Sequence, residues 1–483
     1  MGKKTGTNYK SRCAISNKCG GCRFIDMEYE KHLAKKQNHL QELLKPYGHV
    51  EKIIGMEHAD HYRCKVNAAF QRRKDGSIVA GVYEGGTHNV LPSKDCLIEN
   101  ASAQKIIEDI GMMVRSFKIP IYDEDRRSGL LRHVMVRVGL FSKQIMVVLV
   151  TAGPMFPSKN NFVKVLLSMH PEITTVVQNI NERQTSMVLG NRNRVMHGKG
   201  YIEDVLCNKR FRISPTSFYQ VNPAQTEILY QTAVSFAGLT GKERVIDAYC
   251  GTGTIGIVAS DKAKEVVGVE TNREATADAA INAKVNGVKN IRFVNKDAGA
   301  FMIQMANNKQ TCDVVFMDPP RSGSSPEFLK ALSILKPKKI VYIACGQESL
   351  ARDLNILTAR GEYKVERIVG VDMFPWTEHV ETVCLLSKLH EAKHHVNVTV
   401  DMDEMDLTAA ESKATYEEIK KYVAEHNDGM KVSNLYIAQV KRKCGLELAE
   451  NFNLPKSEDS KQPQCPKEKE DAIVEALRYF RMI

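Results

Sequence analysis

A short apolar segment that runs into a glycine-rich turn constrains the fold of this chain more than any other feature. Residues 244–250 have the apolar character of a buried strand, and Gly251-Thr252-Gly253-Thr254-Ile255-Gly256 follows, ahead of an apolar helical pattern. Glycines between a strand and a helix let the backbone approach a bound ligand closely. The glycine pattern alone is weak evidence, so its weight depends on the segments that follow it.

Three further apolar segments follow at the spacing of βαβ units, and each ends in an acid. Residues 265–270 end in Glu270, residues 290–297 end in Asp297, and residues 313–318 end in Asp318. The carboxyl ends of the strands form the ligand edge of a doubly wound sheet. The series therefore predicts a Rossmann-like α/β sheet with these acids at one edge, and not a sheet whose strand ends are polar by chance.

The class of ligand depends on residues beyond the glycines. Because Gly251, Gly253 and Gly256 fit the pattern G-x-G-x-x-G, a dinucleotide is not excluded. The segment 318–321, Asp-Pro-Pro-Arg, is more discriminating, since a rigid proline pair that presents Asp318 into the crevice is typical of S-adenosylmethionine-dependent methyltransferases of bases. We therefore favour a methyl donor over a hydride carrier.

Cys345 ends the apolar segment 339–345 and suggests the reaction. Carbon 5 of uracil is too weak a nucleophile to attack a sulfonium methyl group, but addition of a thiolate at carbon 6 makes carbon 5 nucleophilic. A general base must then remove the proton from carbon 5. We predict that Cys345 is the nucleophile and Glu381 the base. A buried cysteine is more often only a small hydrophobic residue, but a position at the ligand edge favours the catalytic interpretation.

These motifs resemble those of the RNA 5-methyluridine methyltransferases. Residues 217–222, 350–354, 372–375 and 379–381 extend the resemblance, in the family's order, over roughly residues 10–390. It implies that Cys345 is the nucleophile and Glu381 the base, and that six residues line the S-adenosylmethionine site: Gln220, Tyr249, Thr254, Glu270, Asp297 and Asp318. The chain departs from the family pattern at Gly346-Gln347, where Asn-Pro is usual, and at Trp376, where histidine is common.

Four cysteines near the amino end form a second constellation: Cys13, Cys19, Cys22 and the distant Cys96. Four thiolates suit a structural zinc ion or an iron–sulfur cluster, and the spacing alone favours zinc. The resemblance instead implies a [4Fe-4S] cluster, because the 23S ribosomal branch of the family carries one on this pattern. We expect a structural or RNA-positioning cluster, with zinc as the alternative.

The charge and the other cysteines bear on partners and location. Residues 1–390 contain 54 Lys and Arg against 39 Asp and Glu, whereas residues 391–483 contain 14 against 18. The basic surplus predicts RNA as partner. We expect these residues to line its path: Arg126, Arg127, Arg132, His133 and Arg137. Since the remaining cysteines are scattered, and there is neither a signal peptide nor a long apolar span, we predict a cytoplasmic protein without a membrane segment.

The predicted architecture is an α/β class I S-adenosylmethionine methyltransferase (Rossmann-like) with additions at both ends. We predict a basic iron–sulfur region (1–110), a β-rich RNA-binding region (111–210), the catalytic domain (211–390), and an acidic linker with a helical extension (391–483). The expected activity is methylation of carbon 5 of a uridine in RNA, by resemblance 23S rRNA, by a monomer. Two alternatives stay open: a base N-methyltransferase that uses residues 318–321, and a non-catalytic RNA-binding or ribosome-assembly protein.

Overall fold

The computed structural model describes residues 11–184, 187–359, 361–389, 416–427, 429–444, 464–480 and 482. The chain forms two compact units, Met1–Glu391 and Ala392–Ile483. All three regions predicted before residue 391 lie in the first unit. The basic residues 1–10 and the acidic stretch 401–406 lie outside the described residues.

The strands of the described residues all lie in the first unit. In chain order they are β1 (Val50–Ile54), β2 (Lys65–Arg72), β3 (Ile78–Tyr83), β4 (Val90–Pro92), β5 (Leu131–Val138), β6 (Ile145–Thr151), β7 (Ile173–Ile180), β8 (Arg192–His197), β9 (Ile202–Leu206), β10 (Lys209–Ile213), β11 (Arg244–Ala248), β12 (Glu265–Glu270), β13 (Ile291–Asn295), β14 (Val314–Met317), β15 (Lys339–Ala344), β16 (Tyr363–Val371) and β17 (Glu381–Lys388).

The helices are distributed over both units. In chain order they are α1 (Ser16–Cys19), α2 (Tyr29–Leu44), α3 (Ala101–Ser116), α4 (Lys159–Met169), α5 (Pro223–Ala237), α6 (Thr254–Ala259), α7 (Arg273–Val285), α8 (Ala298–Asn307), α9 (Pro326–Leu335), α10 (Gln347–Thr358), α11 (Tyr416–His426), α12 (Asn434–Lys443) and α13 (Lys467–Tyr479). None of the described helices is long and apolar enough to cross a membrane.

An eight-stranded sheet contains the predicted glycine turn and the strands that end in acids. Its order is β1-β16-β17-β15-β14-β11-β12-β13. The strands pair in parallel except β17, which is antiparallel to both of its neighbours, β15 and β16. The predicted α/β methyltransferase-type sheet is confirmed. β1 was not predicted; it brings residues 50–54 of the amino-terminal region to the edge of this sheet, in parallel with β16.

Helix caps fix where the helices that follow these strands begin. Asp297 accepts a hydrogen bond from Ala300 N at the start of α8, and Asn272 accepts one from Ala275 N at the start of α7. A side-chain acceptor satisfies amide groups that have no partner inside the helix, which stabilises the end by about 1 kcal/mol. Each capping residue comes two residues after the end of its strand, β12 or β13, so short connections lead from these strands into the helices.

A seven-stranded sheet, in the order β4-β3-β2-β5-β6-β7-β8, forms the other large layer. One side of β5 and β6 packs into a core with α3 and α4, and the other side joins the core of the eight-stranded sheet. The expectation that Arg132, His133 and Arg137 line an RNA path is wrong, because all three are buried. Arg126 and Arg127, on the connection before β5, are exposed as expected.

Helices α11, α12 and α13 form the described part of the second unit, close to the positions predicted from the sequence. They share a small core that includes Ile419, Val423, Ile437, Val440 and Ile473. The basic residues of α12 lie in its last turn, where they complement the partial negative charge of the helix end.

Candidate active site

The structure places Cys345 and Glu381 opposite each other at the ligand edge. In the antiparallel pair of β15 and β17, Ala344 lies opposite Thr382. Cys345 directly follows Ala344 and Glu381 directly precedes Thr382, so the register brings the two residues together although 35 residues separate them in sequence. Glu381 is 3% exposed, whereas Cys345 keeps part of its surface accessible. A planar ring can therefore reach the thiol while the carboxyl group stays shielded from water.

The charges of Asp318 and Arg321 act on both members of this pair. Burial raises the pKa of Glu381 to about 8; the charge of Asp318 raises it further and Arg321 opposes the shift. Burial likewise raises the pKa of Cys345 to about 11, with Glu381 and Asp318 adding to the effect and Arg321 opposing it. At neutral pH the site without substrate thus holds a thiol and a largely protonated carboxyl group. Arg321 is the cation that favours their ionised forms.

A residue that the sequence did not indicate, Tyr230 on α5, lies beside Thr254 and is affected by the charge of Asp318. Burial raises the pKa of Asp318 to about 7. Burial also raises the pKa of Tyr230, and the charge of Asp318 adds to that effect, so the two groups are close. Tyr230 Oη lies 3.3 Å from Thr254 Oγ1. Tyr230 occurs within an apolar helical pattern, which gives no signal of its place at the edge.

The glycine turn is open at Gly251 and closely packed at Gly253. Gly251 and Gly253 both have positive φ values, 54° and 80°. A Cβ atom on Gly251 would meet nothing within 4 Å, but one on Gly253 would lie 2.8 Å from the ring of Phe293. Glu270 accepts a hydrogen bond from Gly251 N at 3.0 Å, so its carboxylate lies directly against the turn. This arrangement fits a ligand that approaches the backbone at the end of β11.

The other predicted cofactor residues lie at or near the same edge. Tyr249 has a left-handed backbone conformation, with φ of 63°, and its hydroxyl donates to Ser324 Oγ at 3.3 Å. Burial raises the pKa of Tyr249, and the charge of the exposed Asp297 contributes, so these two groups are neighbours. Gln220 lies half-buried in the segment just before α5. The structure therefore gathers glycines, an aromatic ring and carboxylates, a set that fits the methionine and ribose groups of S-adenosylmethionine.

The residues that depart from the family pattern make specific contacts. A Cβ atom on Gly346 would lie 2.7 Å from Arg321 O, so the turn after the nucleophile packs directly on the Asp-Pro-Pro-Arg segment. Gln347 is buried, and its Nε2 donates to Val380 O at 3.4 Å. Gln347 thus connects the turn after Cys345 to the residue before Glu381, and supplies a side-chain hydrogen bond at the site where the usual Asn-Pro pair is absent.

Three of the predicted metal-ligating cysteines act electrostatically on the fourth, Cys22, although Cys96 is distant in sequence. Burial raises the pKa of Cys22 to about 12, and the thiols of Cys96, Cys19 and Cys13 add to the effect. Over the described ranges, no group of three or more His, Cys, Asp or Glu side chains is arranged to hold a metal ion. The four thiols match zinc or an iron–sulfur cluster in the number and kind of donor atoms. In the structure, however, they are not gathered into a coordination shell.

Comparisons with known proteins agree with the geometry of the site. The family model described as tRNA (Uracil-5-)-methyltransferase matches residues 28–389. An uncharacterized RNA methyltransferase of Halalkalibacterium halodurans is 38% identical over 379 residues, which cover 77% of this chain and 82% of the relative. One from Clostridium tetani is 40% identical over 385 residues, covering 79% and 83%.

A solved structure extends the agreement to the fold. The tRNA (uracil-54, C5)-methyltransferase of Pyrococcus abyssi, in complex with S-adenosyl-L-homocysteine, matches with a TM-score of 0.64 and 27% identity. The match covers 76% of this chain and 85% of the Pyrococcus chain. With a family model over most of its length and relatives of nearly 40% identity, the chain belongs to the tRNA (uracil-5-)-methyltransferase family of S-adenosylmethionine-dependent RNA methyltransferases.

Proposed function

We propose that this protein transfers a methyl group from S-adenosylmethionine to carbon 5 of a uridine in 23S rRNA, through a covalent adduct on Cys345. The observation that carries the proposal is the position of the partly accessible Cys345 thiol opposite the buried Glu381 carboxyl group. Asp318 and Arg321 act on both groups from the same edge. This is the pair that covalent activation of a pyrimidine requires, one nucleophile and one base.

The first half of the reaction forms the adduct and transfers the methyl group. The Cys345 thiol loses its proton to water and the resulting thiolate adds to carbon 6, while the electron pair of the ring double bond moves onto the oxygen at carbon 4 as an enolate. Carbon 5 then attacks the methyl carbon, the bond between that carbon and the sulfonium sulfur breaks, and S-adenosylhomocysteine leaves. Arg321 favours the thiolate because it is the positive charge that lowers the pKa of Cys345.

The second half releases the product. Glu381 accepts the proton from carbon 5, the electron pair of that bond re-forms the double bond between carbons 5 and 6, and the Cys345 thiolate departs. Glu381 must be ionised to act, and its pKa of about 8 places this requirement near physiological pH. The net change converts uridine and S-adenosylmethionine into 5-methyluridine, S-adenosylhomocysteine and a proton.

The methyl donor supplies the reactive carbon, and the residues around the glycine turn would hold it. The open space above Gly251 and the position of Glu270 against the turn support this site. The other residues proposed to contact the donor are Gln220, Tyr249, Thr254, Asp297 and Asp318.

We further propose that Cys13, Cys19, Cys22 and Cys96 hold a [4Fe-4S] cluster in the loaded protein, with zinc as the alternative. The donor set supports this proposal, since the chain offers four thiols and the charges of Cys96, Cys19 and Cys13 add to the effect of burial on the pKa of Cys22. The cluster would be structural or would position RNA, and no step of methyl transfer passes through it. The described residues include all twelve cysteines, and none of them is paired in a disulfide, which favours a reducing, cytoplasmic setting. Both catalytic residues come from one chain, so a monomer suffices for the reaction.

The choice of 23S rRNA over tRNA rests on the four cysteines, which resemble those of the ribosomal branch. The Pyrococcus structure is of an enzyme that acts on uracil-54 of tRNA. The two substrates are distinguished by incubating the protein with labelled S-adenosylmethionine and either unmodified 23S rRNA or unmodified tRNA. Nucleoside mass spectrometry should find 5-methyluridine in the ribosomal RNA. Label found in tRNA alone would refute 23S rRNA as the substrate, and an N-methylated base would refute methylation at carbon 5.

A further inference from the structure

The segment before Glu381, residues 372–380, is anchored by a lysine that lies far away in sequence. We call these residues the base loop. Lys36, on α2, donates from Nζ to Asp372 Oδ1 at 2.6 Å, to Phe374 O at 3.2 Å and to His379 O at 2.5 Å. Lys36 is only 3% exposed and Asp372 is fully buried. One ammonium group therefore connects the start of the base loop to a position two residues before Glu381.

Two other residues of α2 hold the same loop. Tyr29 Oη donates to the second carboxylate oxygen of Asp372 at 2.7 Å. His32 Nε2 donates to Thr377 O at 3.1 Å. Tyr29, His32 and Lys36 follow one another at helical spacings of three and four residues, so they lie along one face of α2. That face, which would otherwise pack apolar side chains, supplies polar contacts along the length of the base loop.

The free-energy cost of burying the Lys36 charge indicates that this residue has a role beyond packing. Removing a charge from water costs several kcal/mol, and a buried ion pair is often no more stable than well-packed apolar residues of similar volume. An ammonium group has three donors, and Lys36 uses them on one side chain and two main-chain oxygens of a single loop. The contacts gather the two ends of the loop around one point, a geometric constraint that an apolar side chain cannot supply.

The base loop that Lys36 holds leads directly into Glu381, which carries the catalytic carboxyl group. Val380 O accepts a hydrogen bond from Gln347, which follows Cys345 by two residues. Glu381 then enters β17 opposite Val371 of β16. The base is therefore held on one side by the sheet and on the other by the loop that Lys36 gathers. A change of loop geometry would move Glu381 relative to carbon 5 without moving Cys345, which lies on the separate turn between β15 and α10.

We propose that Lys36 is a positioning residue that sets the Glu381 carboxyl group for removal of the carbon 5 proton. The inference rests on the proposed function, because it assigns Lys36 to the second half of that reaction. Loss of Lys36 should leave adduct formation and methyl transfer nearly intact, since these use Cys345 and the methyl donor. It should slow proton removal, and the methylated covalent adduct should accumulate.

The test compares Lys36→Met with Lys31→Met, which removes a cation from the exposed side of the same helix. Both variants and the wild type are measured below their melting temperatures for S-adenosylmethionine affinity and for two reactions. RNA with 5-fluorouridine reports adduct formation, because fluorine cannot be removed as a proton. Ordinary RNA reports release. For Lys36→Met we expect trapping within about threefold of the wild type and release slowed at least about tenfold, equivalent to ~1.4 kcal/mol or more in the barrier.

The outcomes separate this inference from the proposed function. If Lys36→Met slows trapping and release by the same factor, or if Lys31→Met shows the same selective defect, the positioning role is refuted. Normal release by Lys36→Met would also refute it. If the wild type itself forms no adduct, the proposed function fails instead. Should Lys36→Met not fold, Lys36→Arg, which keeps the cation but changes its reach, is required to show the same selective loss of release.

Discussion

Replacing Glu381 by Gln should make the stability of the first unit less sensitive to alkaline pH. The folded protein raises the pKa of Glu381 from 4.5 to about 8 because burial disfavours the charged form. A carboxyl group with a raised pKa stabilises the fold below its unfolded pKa, and this contribution is lost as the pH rises through the folded value. The wild type should therefore lose stability between pH 5 and pH 9 through Glu381, whereas the Gln variant has no such group.

The magnitude follows from the size of the shift. Each pKa unit corresponds to about 1.4 kcal/mol, so ionising Glu381 in the folded state costs at most ~5 kcal/mol. Part of the shift comes from Asp318, which itself titrates at about pH 7 in the same field. We therefore expect roughly 3 kcal/mol of additional stability for Glu381→Gln at pH 9 relative to its effect at pH 5.

The assay is urea unfolding at pH 5, 7 and 9, followed by fluorescence of Trp376. This is the single tryptophan of the chain, and it is buried in the base loop. Glu366→Gln, at an exposed position of β16 in the same sheet, is the matched control and should follow the wild type at every pH. If the wild type and Glu381→Gln have the same pH dependence, then the carboxyl group is not desolvated as the structure indicates, and the reasoning about its basicity is wrong.

Three further predictions concern the rest of the chain. Arg132→Ala should destabilise the first unit by about 2–4 kcal/mol in urea unfolding, because it leaves Glu124 and two carbonyl groups without their buried donor. The double variant Arg126→Ala with Arg127→Ala should instead leave stability unchanged and weaken RNA binding in a filter assay. Asp353→Asn should lower the melting temperature and weaken methyl transfer, since the buried carboxylate holds Ser324 N at 2.9 Å and Tyr342 Oη at 2.7 Å beside the Asp-Pro-Pro-Arg segment; unchanged activity would contradict this. A chain that ends at Glu391 should fold and bind S-adenosylmethionine as tightly as the full chain in calorimetry, because the first unit and the family match end near this residue.

Local patterns were sufficient to predict the catalytic sheet. Residues 244–256 and the strands that end in Glu270, Asp297 and Asp318 form their elements from short-range sequence signals, and the structure has them within a few residues of the predicted bounds. β1 was missed because a short edge strand acquires its place only by pairing with β16, more than 300 residues later.

The wrong prediction for Arg132 and Arg137 shows a limit of sequence patterns. β5 carries Arg132, His133 and Arg137 among apolar residues, and polar side chains in an antiparallel strand normally indicate a solvated face. Both faces of β5 are covered in this fold, so Arg132 and Arg137 are buried and their donors are used by Glu124 and by Ser217 O. Polar residues in a strand pattern do not distinguish a face covered by water from a face covered by a second layer of protein.

Lys36, by contrast, lies in a sequence pattern that indicates a buried contact. The buried residues of α2 are His32, Lys36, Leu40 and Leu44, spaced by four. A lysine on the apolar stripe of a helix implies a buried partner. The sequence alone gives no means of locating that partner at Asp372, because the contact depends on the packing of α2 against the base loop.

Covalent trapping tests most directly whether Cys345 attacks the pyrimidine ring. The protein is incubated with S-adenosylmethionine and an RNA substrate that contains 5-fluorouridine, and the adduct is digested and sequenced by tandem mass spectrometry. We predict a methylated fluorouracil nucleotide on Cys345, and none with Cys345→Ala. If an active preparation yields no adduct, or if Cys345→Ala retains methyl transfer to ordinary RNA, the covalent mechanism is contradicted.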